Sequence, residues 1–445
     1  MIMITRFAPS PTGYLHVGNV RTALIGWLYA RKQNGRFLLR FDDTDVQRSR
    51  DEYIKEIESD LLWLNIDWDS SFRQSSRFDR YEDVFNYLLK EGFIYPCYET
   101  KEELEFKRKM KLKSGLPPIY DRSALNLTQA EKNKYFGRVP YFRFKIDQDR
   151  LISWNDEIRG KVSFNSENIS DPIIRRADGT YTYMLPSIID DMDFNITNII
   201  RGEDHISNTA IQIHMLHALG ASIPMFSHLS LLYSDDNKIS KRIGGSSVKD
   251  MQSYELEPMA INSYFAKIGT SNPVSVHTRM IELVDSFDIT AFNQAPTKFN
   301  MDDVLKLNPK VLHSMSFDDV ENRLRLFNIT SSDFWHFVCG NIEKFSDVEQ
   351  WVKVCSKDMV PVIREDDKDF IMLALNMLPQ GEVYGDTWNT WISNIKQHTD
   401  RRAKNLFIPL RLALTGLSTG PELARLLPLI GRMEIVRRLS YSITQ

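Results

Sequence analysis

Two short stretches hold residues whose types and spacing suit chemistry on an anion. The first is Arg6-Phe-Ala8-Pro-Ser10-Pro-Thr-Gly-Tyr-Leu-His16-Val-Gly18-Asn19, and the second is Lys238-Ile-Ser240-Lys241-Arg242 with Gly244-Gly245-Ser246 after it. In the first, a Pro-rich break joins a strand-like run to a helical pattern, and the free N–H groups at a helix start favour anions. His16 can donate to a phosphate oxygen, and Gly18 can let a nucleotide approach the backbone. In the second, three cations and a hydroxyl within five residues, beside flexible glycines, can close over a triphosphate. One donor aimed at developing charge contributes roughly 3–4 kcal/mol. Taken singly, a bare His-x-Gly is commoner as a turn, and a basic run is commoner as a solvated loop.

Residues 1–7 form a short buried strand, and Ala8 to Gly13 break it. Residues 20–32 carry a helical stripe of Val20, Ala23, Leu24, Trp27 and Leu28, and Arg36–Phe41 forms a second strand ended by Asp42-Asp-Thr-Asp45. Strand, loop, helix, strand opens a parallel α/β sheet. Ser49-Arg-Asp-Glu52 has capping-box spacing and predicts a helix through Leu64; another is predicted over 77–91, stopped by Gly92. Thr100-Lys-Glu-Glu103 repeats the capping-box spacing ahead of a basic helix.

From about 95 to 188 the texture changes. Strand-like pieces at 141–146 and 161–164 appear, and Asp178-Gly179 has the composition of a hairpin turn. The α/β pattern then resumes, with a strand at 196–201, a helix at 209–219 closed by Gly220, and a strand at 228–233. After Val311 the chain reads as helical to its end.

The bulk properties narrow the class. The chain has 445 residues, 42% hydrophobic and 26% charged, which suits a soluble enzyme of two to four domains. A net charge of −3 excludes a generic polyanion binder, so nucleic-acid contact must come from local patches. Such patches lie at Lys107-Arg108-Lys109, at Arg401-Arg402 and at Arg432 with Arg437-Arg438. Cys97, Cys339 and Cys355 have no metal-ligand spacing, so neither zinc nor a disulfide framework is expected. No apolar run suggests a membrane span, and a reducing cytoplasm is the expected compartment.

Together, the two stretches resemble the HIGH and KMSKS motifs of class I aminoacyl-tRNA synthetases. Arg6-Phe-Ala-Pro-Ser-Pro-Thr-Gly, Arg40-Phe-Asp-Asp-Thr-Asp45, Tyr183-Met-Leu-Pro-Ser-Ile-Ile-Asp-Asp191 and Ile200-Arg-Gly-Glu-Asp-His205 are similar to the bacterial-type glutamyl branch. The resemblance runs in order over about residues 1–310 and continues more weakly into Pro409-Leu-Arg-Leu-Ala-Leu-Thr-Gly416. It implies an α/β plus all-α chain. Residues 1–94 and 189–240 would be the halves of a Rossmann-type catalytic domain, and 95–188 an inserted α+β domain for the tRNA acceptor end. The KMSKS-type loop and stem-contact region would occupy 241–310, and a helical anticodon-binding region 311–445.

The resemblance also implies roles residue by residue. ATP would be met by His16, Gly18, Leu232, Lys238, Ser240 and Lys241, with His16, Lys238 and Lys241 assisting the chemistry. L-Glutamate would be held by Arg6, Ala8, Ser10, Asp42, Tyr183, Ser187 and Arg201. Physically, a cationic fork suits the side-chain carboxylate, and a carboxylate at Asp42 suits the ammonium group. A structural reading stands beside each: Arg6 and Arg201 as ion-paired, Asp42 as a turn cap, Tyr183 as a half-buried strand aromatic. The sequence departs from the family pattern at Asn19, where HIGH has a second His. It departs also at Asp42, shorter than the usual Glu, and at Ser187, where some members have Asn or an aliphatic residue.

The implied reaction is ATP-dependent attachment of glutamate to tRNA through glutamyl-adenylate, with Mg²⁺ accompanying the ATP and a monomer as the expected state. A glutaminyl enzyme is disfavoured by Ala8-Pro-Ser10. A short relative that glutamylates a modified tRNA base lacks the last 130 or so residues, and a non-catalytic RNA binder would not need His16, Lys238 and Lys241. Strict glutamyl enzymes carry an Arg near the start of the anticodon region. Asn341 stands there, so the glutamine tRNA is an expected second partner beside the glutamate tRNA.

Overall fold

The computed structural model describes residues 2–233 and 247–441. The chain folds as two units, Met1–Tyr254 with Ile261–Met301, and Glu255–Ala260 with Asp302–Gln445.

The first unit opens with β1 (Ile4–Phe7), α1 (Val17–Lys32), β2 (Arg36–Phe41), α2 (Asp51–Trp63), β3 (Ser70–Arg73) and α3 (Phe78–Lys90). It continues with β4 (Ile94–Cys97), α4 (Lys101–Lys113), α5 (Gln129–Lys134), β5 (Tyr141–Phe144), β6 (Leu151–Asp156), β7 (Gly160–Asn165) and β8 (Ile173–Arg175). Then come α6 (Met184–Asp193), β9 (Asn198–Gly202), α7 (Ile206–Ala218), β10 (Met225–Leu229), β11 (Leu232–Tyr233) and β12 (Thr297–Lys298).

Strands β1, β2 and β3 pair in parallel in that order. Strand β10 pairs in parallel with β9 on one side and β6 on the other, and β7 pairs antiparallel with β6. Thr197 bonds Ile4, through its N–H to the Ile4 carbonyl at 2.9 Å, and so brings β9 beside β1. The chain therefore builds outward from β1 in one direction and later from β9 in the other. The point of reversal, outside the carboxyl ends of these strands, is where such sheets hold ligands.

Burial explains the element choice. β2 is Arg-Phe-Leu-Leu-Arg-Phe, a near-continuous apolar run suited to a strand covered on both faces, with Arg40 as the buried exception at 2% exposure. α1 is buried nearly all round, from Val20 and Leu24 to Ile25 and Leu28, as expected of a helix packed inside a domain.

Two local expectations are corrected. The Ser49 capping box does not form: α2 is preceded by Arg50 with no side-chain cap, and the Ser49 hydroxyl is buried without a partner among the described residues. The strand expected at 228–233 is broken into β10 and β11, because Leu231 N–H turns to the Glu203 carboxylate at 2.9 Å and β11 pairs with β12 instead. The Thr100 box forms as expected, with Glu103 N–H donating to Thr100 Oγ1 at 3.2 Å and Thr100 N–H to Glu103 Oε2 at 2.7 Å.

Residues 95–188 divide between two sheets. β4, β5 and β8 form an antiparallel sheet of their own, whereas the β6–β7 hairpin extends the sheet of β9 and β10. The Asp178-Gly179 turn follows β8, with Gly179 at φ 85° and Arg176 N–H donating to the Thr180 carbonyl at 2.8 Å. Cys97 is buried near Tyr120, Tyr141 and Ala124, and its sulfur accepts from the Tyr120 hydroxyl at 3.6 Å.

The second unit is helical around one core that includes Trp335, Trp351, Trp391, Phe370 and Leu410. Arg438 is fully buried there, bonded to Glu434 and to the carbonyls of Val354, Leu414 and Ser356. Asn341 ends the short turn Cys339–Asn341 and is exposed. Among the described residues no helix is long and apolar enough to cross a membrane.

Candidate active site

A cleft of about 700 Å³ opens at the carboxyl ends of β1, β2, β9 and β10, at the point where the sheet reverses. Its lining includes Arg6, Ala8, Ser10, His16, Gly18, Asp42, Tyr183, Ser187, Arg201 and Leu232. All the described residues expected to meet ATP or glutamate thus share one cavity. Lys238, Ser240 and Lys241 lie outside the described residues. Their flanks are at the cleft: Leu232 lines it, and Ser247 is bridged to His16.

His16 caps α1. Its Nδ1 accepts from Gly18 N–H at 3.1 Å, and its own N–H donates to Asn19 Oδ1 at 3.4 Å, a capping box in which Asn19 has a defined part. An accepting Nδ1 is unprotonated, so the neutral ring carries its proton on Nε2. Burial lowers the His16 pKa below its ordinary value and favours that neutral form. A Cβ on Gly18 would lie 2.9 Å from His16 Cε1. The missing side chain at Gly18 is therefore needed first by the imidazole.

The acidic side of the cleft is organised by a residue the motif reading did not single out. Arg40 donates to Asp42 at 2.6 and 3.2 Å, to Asp191 Oδ1 at 2.9 Å, and to the carbonyl and hydroxyl of Ser187 at 3.2 Å each. Arg6 also pairs with Asp191, at 3.0 Å. Asp190 is held by Gln74, Arg77 and Tyr81. Burial opposes the charge on Arg40, but Asp42 and Asp191 outweigh it and raise the guanidinium pKa. Burial lifts the Asp42 carboxyl above its usual range against the pull of Arg40. Asp191, also buried, is held low by Arg6 and Arg40. A signal for Arg40 was present: a charge inside an apolar strand demands buried partners, and Asp190-Asp191 supplies one.

Arg6 and Arg201 differ in kind. Arg6 has a carboxylate partner, as the structural reading allowed. Arg201, 7% exposed, makes no ion pair among the described residues and donates to His228 Nε2, Thr209 Oγ1 and Gln212 Oε1. Burial and the nearby Arg6 charge pull its pKa down to about 10. A desolvated cation with neutral partners, on the wall of a cleft, has the chemistry to receive an anion. Tyr183 does not sit in a strand but caps the start of α6. Its ring meets His205 edge-on at 6.1 Å, and burial pushes its hydroxyl up to about 12. Arg21 is a second buried cation on the lining with no carboxylate partner among the described residues, donating to the carbonyls of Ser230 at 2.7 Å and Ile268 at 3.2 Å.

Residues 2–306 match the family model described as tRNA synthetases class I (E and Q), catalytic domain, and residues 339–443 match an anticodon binding domain. A glutamate–tRNA ligase 1 of Ehrlichia chaffeensis is 87% identical over 443 residues, covering 100% of both chains. A glutamate–tRNA ligase 1 of Anaplasma marginale is 56% identical over 438 residues, covering 98% of this chain and 99% of its own. A solved glutamate tRNA ligase from Elizabethkingia meningosepticum, in complex with its amino acid, aligns with a TM-score of 0.84 at 25% identity and 100% coverage of both chains.

Proposed function

The chain belongs to the class I tRNA synthetases of the glutamate and glutamine group, and on that premise we propose that its cleft activates L-glutamate with ATP and passes it to tRNA. The activity is charging tRNA with glutamate, by a Rossmann-like catalytic unit and a helical anticodon-binding region. The observation that carries the choice of amino acid is Arg201, a buried guanidinium with no carboxylate partner among the described residues, facing the cavity that also contains His16.

In this reading Arg201 receives the side-chain carboxylate of glutamate. Asp42 accepts from the α-ammonium with the lone pairs that Arg40 leaves free, since a carboxylate offers about four such sites. Tyr183, Ser187, Arg6, Ala8 and Ser10 enclose the substrate. The α-carboxylate oxygen attacks the α-phosphorus of ATP, the bond to the β-phosphate oxygen breaks, and pyrophosphate leaves. A ribose hydroxyl of the tRNA end then attacks the acyl carbon, its proton is lost, and AMP departs. No protein nucleophile takes part, so the chain contributes position and charge. His16 aims Nε2–H at a phosphate oxygen beside the start of α1, and Leu232 borders the nucleotide. Lys238, Ser240 and Lys241, between two flanks at the cleft, neutralise the departing pyrophosphate.

Of the carboxylates on the lining, Asp204 is the more exposed, 3.6 Å from His205 Nε2, and it would be the one to reach Mg²⁺. Mg²⁺ bound with the ATP phosphates would offset their charge. Within residues 95–188, the sheet of β4, β5 and β8 with basic α4 would receive the acceptor end. The segment 241–310 would contact the stem, and the region from 311 would read the anticodon. A second reading, that the glutamine tRNA is charged as well, rests on the exposed Asn341. Charging purified glutamate and glutamine tRNAs with labelled glutamate tests both. Product on neither overturns the function, and product on the glutamate tRNA alone removes the second reading.

A further inference from the structure

Arg201 has five N–H donors, and the surrounding elements take three of them. α7 supplies Thr209 Oγ1, at 2.5 Å from Nη2, and Gln212 Oε1, at 2.7 Å from the same nitrogen. β10 supplies His228, whose Nε2 lies 3.3 Å from Arg201 Nε. Nη1 makes no hydrogen bond among the described residues and is left for a ligand.

His228 can accept at Nε2 only if that nitrogen carries no proton. Its Nδ1 must then hold the proton, and it faces Asp156 Oδ2 at 2.5 Å. Asp156 is itself fixed, because its Oδ1 accepts from the N–H groups of His228, Ile158 and Arg159 at 3.0 to 3.2 Å. The opposite tautomer would set N–H against N–H at Arg201. The Thr209 hydroxyl, 2.9 Å from His228 Nε2, joins the same arrangement. His228 is fully buried and stacked on Phe226, so the ring cannot turn away without disturbing the core.

We propose that His228, locked in one tautomer by Asp156, is a positioning residue that turns the Nη1 edge of Arg201 toward the side-chain carboxylate of glutamate. The inference rests on the reading of Arg201 given above. A residue that acts only on the core would disturb both substrates alike. A residue that aims Arg201 affects glutamate alone.

The test is tRNA-dependent ATP–pyrophosphate exchange on the full-length protein, with KM for glutamate and for ATP measured separately and thermal unfolding recorded for each variant. His228→Leu removes the acceptor. It is expected to raise the glutamate KM about 10- to 100-fold, the range for a lost hydrogen bond to a charged group, with the ATP KM within about twofold of wild type. His228→Gln puts an amide oxygen near the Nε2 position and is expected to recover most of the loss. Thr209→Val, which removes a neighbouring acceptor, is expected to raise the glutamate KM in the same selective way. It decides the matter with His228→Gln if His228→Leu fails to fold. Arg201→Leu separates the role of His228 from that of Arg201 itself. A raised glutamate KM there with unchanged values in His228→Leu and Thr209→Val overturns the positioning role alone. An unchanged glutamate KM in Arg201→Leu overturns the Arg201 reading and the positioning role with it. Parallel rises in both KM values for His228→Leu also overturn the role.

Discussion

Replacing Gly18 by Ala separates two roles that a glycine at this position can have. The added Cβ would stand 2.9 Å from His16 Cε1 and 3.1 Å from Nδ1, well inside the roughly 3.5–4.0 Å of a comfortable contact. The imidazole must swing off the start of α1 and give up the Gly18 N–H. Losing a cap costs about 0.5–2 kcal/mol. Alanine in place of glycine inside a helix returns about 1 kcal/mol, so the melting temperature should barely move. The Nε2–H, however, no longer meets the phosphate, and loss of one such donor costs about 10²–10³ in rate. ATP–pyrophosphate exchange should therefore fall about a hundredfold in a protein that melts as wild type does. The double variant with His16→Ala completes the test. If Gly18 acts through the ring, Gly18→Ala adds nothing once the ring is gone; if Gly18 admits the nucleotide directly, the two losses add. Additive losses, or near-normal exchange in Gly18→Ala, would show that Gly18 does not act through the His16 ring.

Other outcomes follow from the same contacts. Arg40→Met leaves Asp42 and Asp191 short of a buried partner and should destabilise the protein by about 3–5 kcal/mol in urea unfolding; an unmoved midpoint would contradict this. Burial lowers the pKa values of His16 and His228 below the ordinary 6.5, so the unfolded chain takes up protons first as pH falls. Stability from these groups is full above about pH 6.5 and declines below it, and His228→Gln should flatten part of that decline in melting curves. A melting temperature that rises on acidification speaks against the assignment. Lys241→Ala should abolish most tRNA-dependent exchange while the fold survives, and wild-type exchange would remove the loop from the mechanism.

The parts of this structure that were legible in the sequence are those set by neighbours in the chain. β1, α1 and β2 follow from apolar runs and a Pro-rich break, and the Thr100 cap follows from a four-residue spacing. The Ser49 box fails because spacing alone cannot say which residue starts the helix, and here the first turn begins after Arg50. The break between β10 and β11 depends on Glu203, and the joining of β6 to β10 depends on a strand some seventy residues away. The grouping of the cleft residues was legible through motif order. Arg40 showed only its need for a buried partner, as a charge inside an apolar strand; which residues meet that need, Ser187 and Asp191 about 150 positions off, shows only in space. The same holds for His228, which reads as one more residue of an apolar strand until Arg201 and Asp156 are placed on either side of it.

A crystal structure with L-glutamate bound would show whether Arg201 receives the substrate's side chain. The side-chain carboxylate is expected within hydrogen-bond distance of Arg201 Nη1 and the ammonium beside Asp42. Glutamate bound with its side chain directed away from Arg201, or outside the cleft between β1 and β9, would contradict it.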